Sequence, residues 1–147
     1  MLTLNQLVKK IQEIGEAHKQ IKTTYNGSVF DFLSKGSDNV YPAFVYDVSQ
    51  GNINGTVLTI DFLLFFFDRV LPEQYNETEV LSDQVLICTD IIAQLRYQLF
   101  DFYLTGNNNI QFFREETPDL LAGVRATVSF EIPYDADRCA VPTTFAY

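Results

Sequence analysis

Hydrophobic positions in this chain change period from one segment to the next. Over residues 4–22, Leu4, Leu7, Val8, Ile11, Ile14, His18 and Ile21 recur every three or four positions, and Lys9, Glu13, Glu16, Lys19 and Lys22 fall outside that stripe. This is the period of an amphipathic helix, and Thr3 with Gln6 has the pattern of a capping box at its start. Residues 25–39 read as a connection with turns at Asn26-Gly27 and Lys35-Gly36, where Val29, Phe30, Phe32 and Leu33 pack down as a short strand or helical turn. Residues 40–48 read as a strand with Pro42 near its beginning, which favours an edge or the first positions of a strand because proline donates nothing to a ladder. The run 49–55, SQGNING, reads as a projecting hairpin tip, with Asn54-Gly55 supplying residues that tolerate positive φ.

The return strand is the most unusual segment. GTVLTIDFLLFFFDRV, residues 55–70, holds no proline and no internal glycine, so it reads as one strand of about 50 Å. Thr59 and Asp61 oppose Leu58, Ile60 and Phe62, which makes the first half one-sided. From Leu63 onward both faces are apolar: Leu63, Phe65 and Phe67 on one, Leu64 and Phe66 on the other. A short chain covers one sheet face with its own helices. Covering two is expected to need a second copy or another protein, so Leu63, Phe65 and Phe67 are the expected subunit-interface residues.

Pro72 stops the strand, and Asn76 with Glu79 marks the start of a helix over about 77–100. Its seam is Leu81, Val85, Cys88, Ile92, Leu95 and Leu99, flanked by Val80, Ile87 and Ile91. That breadth fits a helix lying across a sheet better than a narrow coiled-coil stripe. After a TGNNN loop, Ile110 to Phe113 is short and extended, and Glu115 to Asp119 is another loop. In residues 124–134, Val124, Ala126, Val128, Phe130 and Ile132 alternate with Arg125, Thr127, Ser129 and Glu131, the pattern of a half-buried strand. Gly123 before it permits a bulge or a close backbone approach. The tail carries Phe145 and Tyr147, which are expected to dock on a neighbour. The expected architecture is α+β over a single domain, residues 1–147: an antiparallel or mixed sheet with a long central hairpin, packed by an N-terminal helix and a long middle helix.

Charge and composition narrow the function. Net charge is −9, and all five lysines lie in the first 35 residues, against three acids there; residues 36–147 hold five arginines and sixteen acids. An acidic body does not suit phosphate-gripping nucleic-acid binding, although it suits a surface that nucleic acid passes without sticking. The longest apolar run, Phe62 to Phe67, is far short of a membrane helix, and the start lacks a signal-peptide layout, so a cytoplasmic site of synthesis and no membrane partner are expected. One histidine and two separated cysteines, Cys88 and Cys139, provide no metal set and no CxxC pair. Phosphate-binding, nucleophile-elbow and zinc-protease motifs are absent. The acidic pairs Glu115-Glu116 and Asp135/Asp137 fall in expected loops or at a strand end. No catalytic, metal or cofactor residue is therefore expected, and the chain is not expected to be an enzyme.

The order of elements, with FLLFFFDRVLPEQYNETEVLSDQVLICTDIIAQLR and then LAGVRATVSFEIPYDADRC, resembles the small head-to-tail connector, tail-completion and tail-terminator proteins of tailed bacteriophages. The likeness is greatest to versions in crAss-like and other phages of Bacteroides-type bacteria. It lies in residues 57–71, 76–97 and 119–142, with Asp68-Arg69-Val70 closing the long strand, Leu81-Ser82-Asp83 in the helix, and Ala122-Gly123 leading into the last strand. Related proteins often have an aromatic residue where Val124 stands here. The resemblance implies a homo-oligomeric ring in the virion neck, twelve-fold rather than six-fold, assembled in the bacterial host cytoplasm. Its partners would be the portal and other neck or tail proteins, and double-stranded DNA would pass non-specifically through its channel during genome ejection. On that reading Gln50, Gly51, Asn52, Ile53 and Asn54 form a hairpin that contacts the next ring or the lumen. Two other readings compete. One is a small-molecule-binding domain with a pocket beneath Phe62–Phe67 that uses Asp61 and Tyr46. The other is an adaptor or chaperone-like assembly protein that binds a peptide along a sheet edge.

Overall fold

The computed structural model describes residues 3–34, 39–70, 76–97, 102–105, 108–116, 120–133, 142 and 144–145. The fold is α+β. In chain order the elements are α1 (Leu4–Ala17), β1 (Thr23–Asn26), α2 (Val29–Leu33), β2 (Ala43–Asn54), β3 (Val57–Arg69), α3 (Glu77–Tyr97), β4 (Tyr103–Leu104), β5 (Asn109–Glu116) and β6 (Leu120–Pro133). They build one mixed six-stranded sheet in the order β1-β2-β3-β6, with β4 and β5 both pairing along the outer edge of β6. Among the described residues only the β1–β2 pair is parallel.

The centre of the sheet is the long strand read from the sequence. β3 pairs antiparallel with β2 from Ala43↔Phe67 to Asn54↔Val57 and with β6 from Val57↔Pro133 to Arg69↔Leu121. Two-residue alternation then sorts its side chains. Leu58, Ile60, Phe62, Leu64 and Phe66 join Val124, Ala126, Val128, Phe130 and Ile132 on one face, which we call the inner face. It is covered by Leu7 and Ile11 of α1 and by Ile87, Cys88, Ile91 and Leu95 of α3. Aromatic rings order this layer: Phe44 stacks on Phe66 at 4.6 Å, and Phe130 meets Phe62 and Phe102 edge-on at 5.6 and 5.1 Å. Tyr46 is buried there, and its hydroxyl donates to Gln12 Oε1 at 2.7 Å.

Local chemistry explains where the elements stop. The Thr3–Gln6 capping box forms as expected. However, α1 ends at Ala17 rather than near Lys22, because His18 takes extended geometry and its Nδ1 accepts from Gln20 N–H at 3.1 Å. That turn lets Ile21 reach the core and brings Thr23 alongside Ala43. His18 Nε2 meets Asp90 of α3 at 3.0 Å and so ties the two helices together. α2 starts at Ser28, whose hydroxyl accepts from Phe30 N–H. The expected tip at 49–55 is mostly ladder: pairing continues past an irregularity between Val48 and Gln50 to Asn54, and only Gly55 and Thr56 form the loop. Gly55 has φ of 60°, a value glycine reaches without strain. β5 runs on to Glu116 and β6 begins at Leu120, so the expected loop over Glu115–Asp119 is shorter than its sequence implies.

α3 sits rotated from its expected seam. The buried positions are Val80, Gln84, Ile87, Cys88, Ile91 and Leu95, whereas Leu81, Val85 and Ile92 are only half-buried. The supposed flank is therefore the centre, because the side chains of β3 and β6 beneath the helix meet that line. Leu99 lies outside the described residues.

Gly123 is the tightest point of the sheet. A Cβ there would stand 2.0 Å from the Phe66 carbonyl oxygen and 2.6 Å from Phe67 Cβ. Gly123→Ala is expected to destabilise the fold by about 3 kcal/mol or more, because backbone rather than a flexible side chain must move; chemical denaturation measures it. Burial, with a smaller contribution from the Glu16 charge, raises the Tyr46 phenol from 10 to about 12. The folded state holds this proton where the unfolded chain releases it. Its stabilising share is therefore complete below pH 10 and is lost as pH rises through about 12. Tyr46→Phe should cost about 1 kcal/mol at pH 7 and flatten the decline in stability above pH 10, as read by urea unfolding at a series of alkaline pH values.

Candidate functional site

The outer face of the sheet differs in its two halves. At one end, Ala43, Phe67, Gly123 and Phe113 form a single row across four strands. With no side chain at Gly123, the rings of Phe67 and Phe113 meet over it at 5.9 Å, an aromatic cover for a strand glycine. Phe32 of α2 and Tyr41 close the remaining sides of Phe67, at 5.6 and 5.9 Å. Phe67 is 0% exposed. Its expected place at a subunit interface is therefore corrected: a five-residue helix and the curl toward β5 enclose it within its own chain.

Leu63 and Phe65 are different. Both are half-buried, and they floor an open cleft of about 430 Å³ between α2 and β5. Val29, Phe30 and Leu33 form one wall, and Gln111, Phe112 and Phe113 form the other; Asp47 and Arg125 are the charged groups at its margin. Arg125 donates to Gln111 Oε1 across the β5–β6 pair. Phe145 is exposed, and Tyr147 lies outside the described residues.

Beyond the cleft the outer face turns polar. Asp61 accepts from Ser129 at 2.5 Å and from Gln50 at 2.8 Å, which stitches β2, β3 and β6 together. Gln50, Gly51, Asn52, Ile53 and Asn54 are all exposed on the far half of β2. They form an uncharged paired ribbon with Ile53 as its apolar residue.

A third surface was not foreseen from the sequence. α3 lies over β3 and β6 and meets β5 where Arg114 pairs with Glu77, while Ile110 and Phe112 stay exposed on the inner face. Two adjoining depressions, both bordered by Val85, run between α3 and β5: one holds Leu81, Leu86 and Phe112, the other Ile92, Tyr97 and Ile110. Leu86, Tyr97, Ile110 and Phe112 are 59%, 78%, 40% and 58% exposed. The sequence signal was the breadth of apolar positions around α3. The run Ile110–Phe113 was too short to reveal which of its residues faced out.

Chemically reactive groups are dispersed or tied up. Tyr46 and Asp61 lie on opposite faces of the sheet, so the pocket imagined beneath Phe62–Phe67 is a packed aromatic layer instead. Burial pushes the Cys88 thiol up to about 12, which suppresses the reactive thiolate. Among the described residues no group of three or more His, Cys, Asp or Glu side chains is placed to hold a metal ion, and no helix is long and apolar enough to cross a membrane. Asp135, Asp137 and Cys139 lie outside the described residues. No protein-family model matches the chain, and no curated protein matches it.

The two outer-face phenylalanines therefore separate by experiment. Phe67→Ala should destabilise the isolated subunit by about 3–5 kcal/mol. Phe65→Ala should cost clearly less, since part of that ring is already open. Equal losses of stability in urea would contradict the assigned enclosure of Phe67.

Proposed function

We propose that this chain is a structural protein of the tailed-bacteriophage virion, one subunit of a ring in the neck between portal and tail. One observation supports this above the others: the folded subunit leaves apolar surface open in two different places, the Leu63–Phe65 cleft on the outer face and the α3–β5 groove on the inner face. A ring with head-to-tail contacts uses two unlike surfaces on every subunit, one meeting the neighbour on each side. The α+β fold agrees with the one implied by the resemblance to connector and tail-terminator proteins, and the ribbon of Gln50–Asn54 is exposed along its length.

In this reading the ring has twelve subunits in preference to six and is assembled in the host cytoplasm. The portal and the remaining neck or tail proteins bound it above and below, and the ribbon touches the next ring or the lumen. The acidic surplus of residues 36–147 keeps double-stranded DNA from sticking as it slides past, because binding to phosphate draws on clustered lysine and arginine.

The direct experiment is the mass of the intact particle, by native mass spectrometry or light scattering on purified protein and on protein released from virions. The expected value is twelve, or failing that six, times the 16.8 kDa chain. A single-chain mass at every concentration, from both sources, overturns the proposal.

A further inference from the structure

We infer that Arg96 and Tyr97 of one copy of this chain enter the Leu63–Phe65 cleft of the next, where the Arg96 guanidinium pairs with the Asp47 carboxylate. The inference rests on the ring reading and names the ion pair that joins neighbouring subunits.

A closed ring of identical chains fixes which surfaces meet. In a head-to-tail contact, the patch that one subunit presents forward is covered by the patch that the next presents backward. The outer cleft therefore faces the α3–β5 side of a neighbour, and the two must match in shape and charge. The cleft is concave, about 430 Å³, with Leu63 and Phe65 as its floor. The α3 side supplies a ridge. Leu86, Thr89, Ala93 and Arg96 recur at three- and four-residue intervals, so they share one helix face, and all four are exposed. Tyr97 beside them is 78% exposed. Thr89 and Ala93 are small, which leaves Arg96 and Tyr97 as the projecting side chains at the C-terminal end of α3.

Charge selects the partners. The charged residues lining the two surfaces are Asp47 and Arg125 in the cleft, and Arg96 and Arg114 on the α3–β5 side. Two of them are already engaged: Arg125 donates to Gln111 Oε1, and Arg114 pairs with Glu77. Asp90 of α3 is turned to His18 of α1. Asp47 and Arg96 have no hydrogen bond or ion pair among the described residues. They carry opposite signs, and one stands on each surface. The cleft also suits an arginine. Phe30, Phe65 and Phe113 line it, and a planar guanidinium packs against aromatic faces while it bonds a carboxylate. Asp47 is partly buried, so a pair formed there is screened less by salt than one on open surface.

The test has a sign that general electrostatics does not give. The chain carries a net charge of −9, so removing an acid lowers repulsion between copies and by itself tightens assembly; losing an ion pair loosens it. Sedimentation velocity of the whole chain over a range of concentrations compares wild type with Asp47→Asn, Arg96→Gln, the double neutral variant, and the exchanged pair Asp47→Arg with Arg96→Asp. Thermal melts check folding, and those of the neutral variants should stay close to wild type. Each single neutral substitution is expected to raise the concentration for half-assembly by about tenfold. The double neutral variant should lose little more than either single one, and the exchange should recover most of the loss. If the exchanged variant fails to fold, the neutral variants still complete the cycle. Neutral variants that assemble as wild type does, additive losses in the cycle, tighter assembly of Asp47→Asn, or a folded exchange without recovery would each overturn the pair and leave the ring reading standing. Wild-type protein that is monomeric at every concentration removes the ring reading, and the pair with it.

Discussion

Everything in this molecule depends on the register of β3 between β2 and β6. The strand is paired on both sides from Val57 to Phe67, and a slip of one residue would exchange its faces. The inner face would lose Phe62, Leu64 and Phe66 from beneath α1 and α3 and receive Asp61 in their place. Gly123 enforces that register at one end. Only glycine fits against the Phe66 carbonyl, and only this alignment places the bare position between Phe67 and Phe113. The aromatic stack of Phe44 on Phe66 and the Asp61–Ser129–Gln50 bonds hold the same alignment on the two faces.

The registered sheet also decides which apolar residues are spare. Helices α1 and α3 cover the inner face as far as β6, and α2 covers one end of the outer face. What they fail to reach is open: Leu63 and Phe65 in the outer cleft, and Ile110 and Phe112 beside α3. These residues are left over by geometry, since two helices span the central strands and a five-residue helix spans less. A subunit of this kind gains by association through surfaces that lie on different sides of it. Tyr46, His18 and Cys88, by contrast, are held in structural roles: Tyr46 on Gln12, His18 on Asp90, Cys88 within the core.

Strong periodicity was legible in the sequence, and enclosure was not. The alternation from Val124 to Ile132, the uninterrupted run from Val57 to Arg69 and the Thr3–Gln6 pair each specify their element by local physics, and each is found in the structure. β1 escaped because Thr23–Asn26 is four residues long and is extended through its parallel partner rather than by its own pattern. The far half of β2 read as a loop because its ladder needs backbone groups and no apolar side chains. Phe67 read as outward-facing because alternation identifies two faces without saying which short helix will cover one of them. The α3–β5 groove was hidden for the same reason. Leu81, Val85 and Ile92 looked like the centre of a seam, and only the position of the sheet beneath α3 shows that they form its uncovered side.

The account comes down to whether the apolar surface that α3 and β5 leave exposed is covered when copies of the chain associate. Hydrogen–deuterium exchange followed across a series of protein concentrations addresses this most directly. The prediction is that amides of residues 110–114, and those of α3 from Leu86 to Tyr97, exchange more slowly as concentration rises, while the β3 amides stay equally protected throughout. Exchange along β5 that is fast and independent of concentration would contradict it.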